Sequence, residues 1–158
     1  MPLSSSAWVY YQYGYPSRFI GINVTTFNDY WANTMITATD NWYYSTNGSV
    51  NPHLDPYSTN TTSIDFTIPT NRKYATYQSS GNPATRFWIV FYTHLIILDA
   101  TNHQTFLTSV IAHEVGHALF LKDLEFNSTS LMGYLRDRNI LYTQQQDDIN
   151  GVLNKWPL

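Results

Sequence analysis

Apolar residues recur along this chain at two different periods, and the switches between them mark its elements. Residues 7–13 and 18–24, rich in aromatic and β-branched residues and separated by a Gly14-Tyr15-Pro16 turn, read as two strands. Trp31, Met35, Ala38 and Trp42 then recur at helical spacing. They predict an amphipathic helix over 28–44 whose aromatic stripe packs into a core. Residues 47–62 form a polar stretch rich in turn formers, and its His53 and Asp55 read as a decorated surface turn rather than a metal pair. Residues 63–68 alternate, 71–85 read as loop, and 86–98 are expected to hold one or two strands, the second over 93–98. Phe106, Leu107, Val110, Ile111, Ala118 and Leu119 supply the apolar face of a helix. Thr101 and Gln104 have capping-box spacing, which starts that helix near Asn102. Ile149, Val152, Leu153 and Trp156 make the i, i+3, i+4, i+7 stripe of a terminal helix. Thr143 and Gln146 have the same box spacing ahead of it, and Asp147 and Asp148 suit its positive end.

The second of these helices carries the chemistry. Its sequence His113-Glu114-Val115-Gly116-His117 is HExxH, and Asp123 follows six residues after the second histidine. Positions i and i+4 share a helix face, so His113 and His117 can offer imidazole nitrogens to one ion. Glu114 sits about 100° round the helix, close enough to hydrogen-bond a water on the metal without being a ligand. Two histidines, one carboxylate and an open position make a catalytic zinc site rather than a structural one, and point to peptide-bond hydrolysis. Glu125 is a second candidate third ligand, but its spacing matches no known layout, and Asp123 is preferred. A thermolysin-like arrangement needs a glutamate well downstream, and Glu125 is the only glutamate after His117.

With Ser130-Leu131-Met132-Gly133-Tyr134 following closely, the chain resembles the metzincin metalloproteases, whose motif is HExxHxxGxxH/D followed by a methionine-containing turn. The resemblance implies an α+β fold: a twisted, mostly parallel sheet of about five strands with an antiparallel edge strand, three main helices, and a small C-terminal subdomain. It puts His113, His117 and Asp123 on the zinc ligands, Glu114 on the general base, and Met132 on the apolar floor beneath the metal. His-Glu-Val-Gly-His-Ala-Leu and the late Gln-Asp-Asp-Ile-Asn-Gly look like the matrixin branch, whereas Met132-Gly133-Tyr134 looks like the Met-x-Tyr of astacins and serralysins. In the latter branches the tyrosine stabilises the oxyanion; Tyr134 is either that group or a packing residue. In matrixins the aspartate pair anchors the methionine turn; here Asp147 and Asp148 are either that anchor or ordinary first-turn carboxylates. An edge strand ahead of the metal helix lies along the cleft in metzincins and pairs with extended substrate. Thr93, His94, Leu95 and Ile96 are the candidates for that role. His94 and His103 lack the Asp- and Gly-rich loop that carries a structural metal in matrixins, so they are expected to face solvent, and calcium is left unassigned. The chain departs from the pattern at Phe120, which stands where the family has the glycine of a tight turn. Either that turn is built differently or it stores strain on the order of 1 kcal/mol.

Length and composition narrow the picture further. The 158 residues are expected to form one domain, divided into 1–117 with the metal helix and 118–158 with the methionine turn and terminal helix. A net charge of −3 on few charged residues leaves no basic footprint for nucleic acid, and no apolar run reaches membrane-spanning length. The first six residues have neither the basic nor the apolar region of a signal peptide. Cysteine is absent, which excludes disulfides and a thiolate switch within the chain. A neutral, polar composition with 13 Tyr and 5 Trp is common on exported proteins, so a secreted, monomeric zinc endopeptidase acting on protein or peptide is the expectation. Two rivals stand beside it: a zinc-holding scaffold kept for binding, motivated by the bulk of Phe120, and a zinc hydrolase of a non-peptide amide.

Overall fold

The computed structural model describes residues 8–158. Its elements run β1 (Phe19–Ile22), α1 (Asp29–Ser45), β2 (Asn51–Leu54), β3 (Thr61–Asp65), β4 (Ala75–Ser80), β5 (Arg86–Tyr92), α2 (Thr93–Asp99), α3 (His103–Ala118) and α4 (Gln146–Lys155). The class is α+β, as expected, but the expected single sheet is two small ones. In one, β1 pairs with β2 in parallel; in the other, β5 lies between β3, parallel to it, and β4, antiparallel. A lone parallel bridge from Asn23 to Thr61 joins them, carried by Asn23 N–H donating to the Asn60 carbonyl at 2.8 Å. Among the described residues four helices replace the expected three, because α2 lies where a strand was predicted.

Both long helices start at side-chain caps. Asn28 accepts from Trp31 N–H and Asn102 from Thr105 N–H, so the cap of α3 is Asn102 itself and the Thr101 box is not used. Every residue of α3 from Phe106 to Ala118 is buried, which makes it the central element of the core. Helix α1 packs along it through Met35, Ala38 and Trp42, and the Trp42 indole N–H donates to the Ala112 carbonyl at 2.9 Å. In α4 the box lies two residues on from the expected Thr143 and Gln146: Gln145 caps, and Asp148 returns the bond to its backbone.

Three expectations about strands need correction. Residue 7 lies outside the described residues, and 8–13 is no strand beyond a single antiparallel bridge from Tyr10 to Leu121. This segment instead straps the chain leaving α3, with Tyr11 N–H donating to Phe120 O and Lys122 N–H to Val9 O, each at 2.8 Å. The strand expected over 63–68 runs Thr61–Asp65, ended by an Asp65 carboxylate that accepts from both Thr67 N–H and its hydroxyl. Most consequentially, Thr93, His94, Leu95 and Ile96 lie in α2 and form no edge strand. Thr93, Leu95 and Ile96 are buried while His94, Ile97 and Leu98 are exposed, a helical division that a short run of β-branched residues conceals.

The edge strand is β4, from a segment read as loop. Nothing pairs with its outer edge among the described residues. Tyr92 N–H donates to Tyr74 O, so alternation along the antiparallel ladder turns the backbone groups of Ala75, Tyr77 and Ser79 outward. No helix among the described residues is long and apolar enough to cross a membrane.

Candidate metal centre

His113 and His117 lie one turn apart near the end of α3, with their rings at right angles and centroids 4.9 Å apart. Each is oriented from behind by a backbone carbonyl. His113 Nδ1–H donates to Leu131 O at 2.9 Å and His117 Nδ1–H to Leu121 O at 2.8 Å. A carbonyl only accepts, so both neutral rings carry the proton on Nδ1 and present the Nε2 lone pair to the cleft. Those two lone pairs meet one oxygen: Asp123 Oδ1 lies 2.7 Å from His113 Nε2 and 3.4 Å from His117 Nε2. Three electron-rich atoms crowded at one point repel unless a proton or cation sits between them, and one proton serves only one imidazole. The donor set therefore fits a metal ion.

Glu114 competes with Asp123 as third ligand, since one ligand atom each from His113, Glu114 and His117 also fall within 4.8 Å of one another. The distances favour Asp123. Glu114 Oε2 is buried without a hydrogen-bond partner among the described residues, which suits a group awaiting a proton. Burial pushes the Glu114 carboxyl above its ordinary range, against the pull of nearby His117. Burial also lowers His113 to about 3, helped by the Arg136 charge, so that ring is neutral at pH 7. For His117 burial acts downward too, but the bond to Asp123 and the charges of Glu114 and Asp123 outweigh it and raise the ring. Burial would push Asp123 up; its bonds to the two histidines prevail and hold it well below the usual carboxylate range.

The turn that delivers Asp123 keeps the left-handed conformation usually filled by glycine, with Phe120 at φ 73°. The strain is offset by burial: the Phe120 ring closes over Gly14, where no Cβ would fit, and packs near Trp156 beneath the Lys155 ammonium. Phe120→Gly relieves about 1–3 kcal/mol of strain but forfeits about 3–5 kcal/mol of aromatic packing. The metal-free variant should therefore lose roughly 2 kcal/mol in a denaturant titration. An unchanged or higher midpoint would mean that the strain governs this turn.

Met132 is buried under the helix, and a Cβ on Gly116 would stand 2.5 Å from its sulfur, which accounts for glycine inside the HExxH helix. Asp148 holds this turn from α4 by accepting from Leu131 N–H at 2.7 Å and Met132 N–H at 3.1 Å. The same Leu131 presents its carbonyl to His113, so the terminal helix orients a metal-site imidazole through one residue. Asp147 is not part of that anchor. Tyr134 is half-exposed and lines the cleft.

The remaining candidates lie elsewhere. His94 is exposed, edge-on to Phe66; His103 Nδ1 meets the Tyr30 hydroxyl at 2.8 Å. His53 Nδ1–H donates to Asn51 O in β2, and Asp55 caps a turn at Tyr57. Glu125 is exposed and makes no contact with the histidines. Several residues at the site went unforeseen. Tyr11 and Tyr77 flank the His117 ring, with centroids 5.1 and 5.9 Å away. Arg136 is buried beside the site and donates to Ser109 Oγ, Ser109 O and Gly133 O; burial lowers it to about 9, still charged at neutral pH. An arginine after a turn reads from sequence as solvated surface, so only its contacts reveal it. The ligand atoms open into a cleft of about 510 Å³ walled on one side by β4. No protein-family model matches the chain, and no curated protein does.

Proposed function

We propose that this chain is a zinc-dependent endopeptidase of metzincin type, working outside the cell that makes it. One observation carries the reading: two imidazoles with fixed tautomers and the Asp123 carboxylate converge beside an unpartnered buried glutamate, on the floor of a cleft bordered by a free strand edge. His113, His117 and Asp123 would hold the ion. Zinc there would supply a Lewis acid that polarises the scissile carbonyl and makes water more acidic. Glu114 takes a proton from the attacking water on its carboxylate and returns it to the leaving amine nitrogen. Its raised affinity for protons suits it to both halves of that transfer. The outward backbone groups of Ala75, Tyr77 and Ser79 line an extended peptide along the cleft, which favours a peptide over a non-peptide amide. Tyr134 also lines the cleft, and we assign its phenol the donation to the developing oxyanion.

The rival reading as a binding scaffold drew on Phe120, and the turn there keeps Asp123 on the histidines. The test is mass-spectrometric mapping of cleavage in a proteome-derived peptide library by zinc-loaded protein, with and without chelator. Chelator-sensitive internal cleavage is expected. Stoichiometric zinc with no cleavage would favour the scaffold, and release of acetate from acetylated sugars without peptide cleavage would favour the other hydrolase.

A further inference from the structure

The cleft is basic in a protein that is otherwise acidic. Arg72, Lys73, Lys122, Arg136 and Arg138 line it, five of the chain's 8 lysines and arginines. Its only acidic residues are Glu114 and Asp123, both already engaged at the metal centre. The rest of the chain holds nine acidic residues against three basic ones (11 less 2, and 8 less 5). Chance scatter of solvated charge does not sort a chain of net charge −3 this way, and a bound divalent ion would add to the positive field. Among the described residues, Lys73, Lys122, Arg136 and Arg138 have no carboxylate within ion-pair distance, and Arg72 has only a 3.9 Å contact with Asp99.

The charges are also grouped. Arg72 and Lys73 lie just before Tyr74, the residue that leads into β4, and the Arg138 guanidinium lies 4.8 Å over the Tyr74 ring. Arg138 is held there with donors to spare, since its bonds to the Arg136 and Tyr134 carbonyls are long, at 3.5 and 3.4 Å. Three cations thus stand at the Ala75 end of the edge strand, while Tyr77, further along, stands beside His117. Antiparallel pairing is the more stable way to add a strand. A peptide so paired with β4 runs from the Ser80 end toward the Ala75 end. Its residues after the point beside His117 therefore enter the cationic end.

We infer that the cleft selects substrates with a carboxylate on the C-terminal side of the bond to be cut, read by Arg138, Lys73 and Arg72. This rests on the cleft being a peptide-cutting site. The carboxylate belongs either to an Asp or Glu side chain or to the substrate's own C-terminus. Quenched fluorescent peptides with Asp or Asn at each of the positions after the scissile bond, made both as C-terminal amides and as free acids, separate the two sources. Among amides, Asp peptides should exceed their Asn partners in kcat/KM by about tenfold at low ionic strength, and the gap should shrink as salt screens it. Lys73→Glu, an exposed substitution that leaves the core untouched, should abolish the preference, and Lys73→Glu with Arg138→Glu should turn it toward lysine. Arg86→Glu, outside the cleft, changes net charge equally and should leave the preference standing. A preference for free acids over amides that ignores internal Asp would assign the cations to the terminal carboxylate. Equal turnover of all four peptide types, or a preference that survives the charge reversals, would overturn the inference. If nothing is cleaved, the endopeptidase reading fails, and anisotropy of the same peptides on zinc-loaded protein decides this one: roughly tenfold tighter binding of the carboxylate-bearing members sustains it, and equal binding ends it.

Discussion

Glu114→Ala should retain zinc at one ion per chain and lose on the order of 10²–10⁴-fold in kcat/KM against any peptide the parent cleaves. The reason is local. Glu114 Oε2 is buried and unpartnered, so its removal takes away a proton carrier while breaking no hydrogen bond at that atom. The metal-free variant should therefore be no less stable than the parent, because an unpaired buried carboxyl is a cost to the fold rather than a support. Metal content, turnover and denaturation midpoint measured on one sample separate the roles. Turnover and stability falling together would make Glu114 a structural residue, and zinc-loaded variant cleaving at the parental rate would remove it from the chemistry.

Asp123→Ala should weaken zinc binding by about a hundredfold or more, as read by competition with a chromophoric chelator. Asp123 Oδ1 lies 2.7 and 3.4 Å from the two Nε2 nitrogens, and its loss leaves two ligands where a catalytic site needs three. Asp123→His restores a third nitrogen donor and should recover much of the affinity. Glu125→Ala is the control, since Glu125 is exposed and forms no ion pair with either histidine. If Glu125→Ala releases the metal while Asp123→Ala keeps it, the ligand set is wrong.

What could be read from residue order divides by the range of the interactions that decide each element. Helices α1, α3 and α4 were legible because a 3.6-residue period and a cap are local signals, although the capping residue shifted by one or two positions. His113, His117 and Asp123 were legible as spacing, and their convergence is the geometry that spacing anticipates. Strand β4 was not. Ala-Thr-Tyr-Gln-Ser-Ser has little apolar alternation, and it is a strand because β5 offers it a ladder. Strand β2 hides behind Pro52, which a sheet edge tolerates and a central strand does not. The error at residues 93–98 runs the other way: an apolar run rich in isoleucine mimics a strand, and tertiary burial makes it a helix. The cationic grouping was invisible for the same reason as β4, since Arg138 reaches the start of that strand, 65 positions from Lys73 in sequence, only by lying over the Tyr74 ring.

The connection from Asp148 through Leu131 to His113 has a consequence for the order in which the protein matures. During synthesis both histidines emerge well before the last helix, and until that helix docks nothing fixes the carbonyl that aims the first imidazole. An unfinished chain therefore carries the ligands without their alignment. An ion taken up by this site should therefore bind after α4 has docked rather than before.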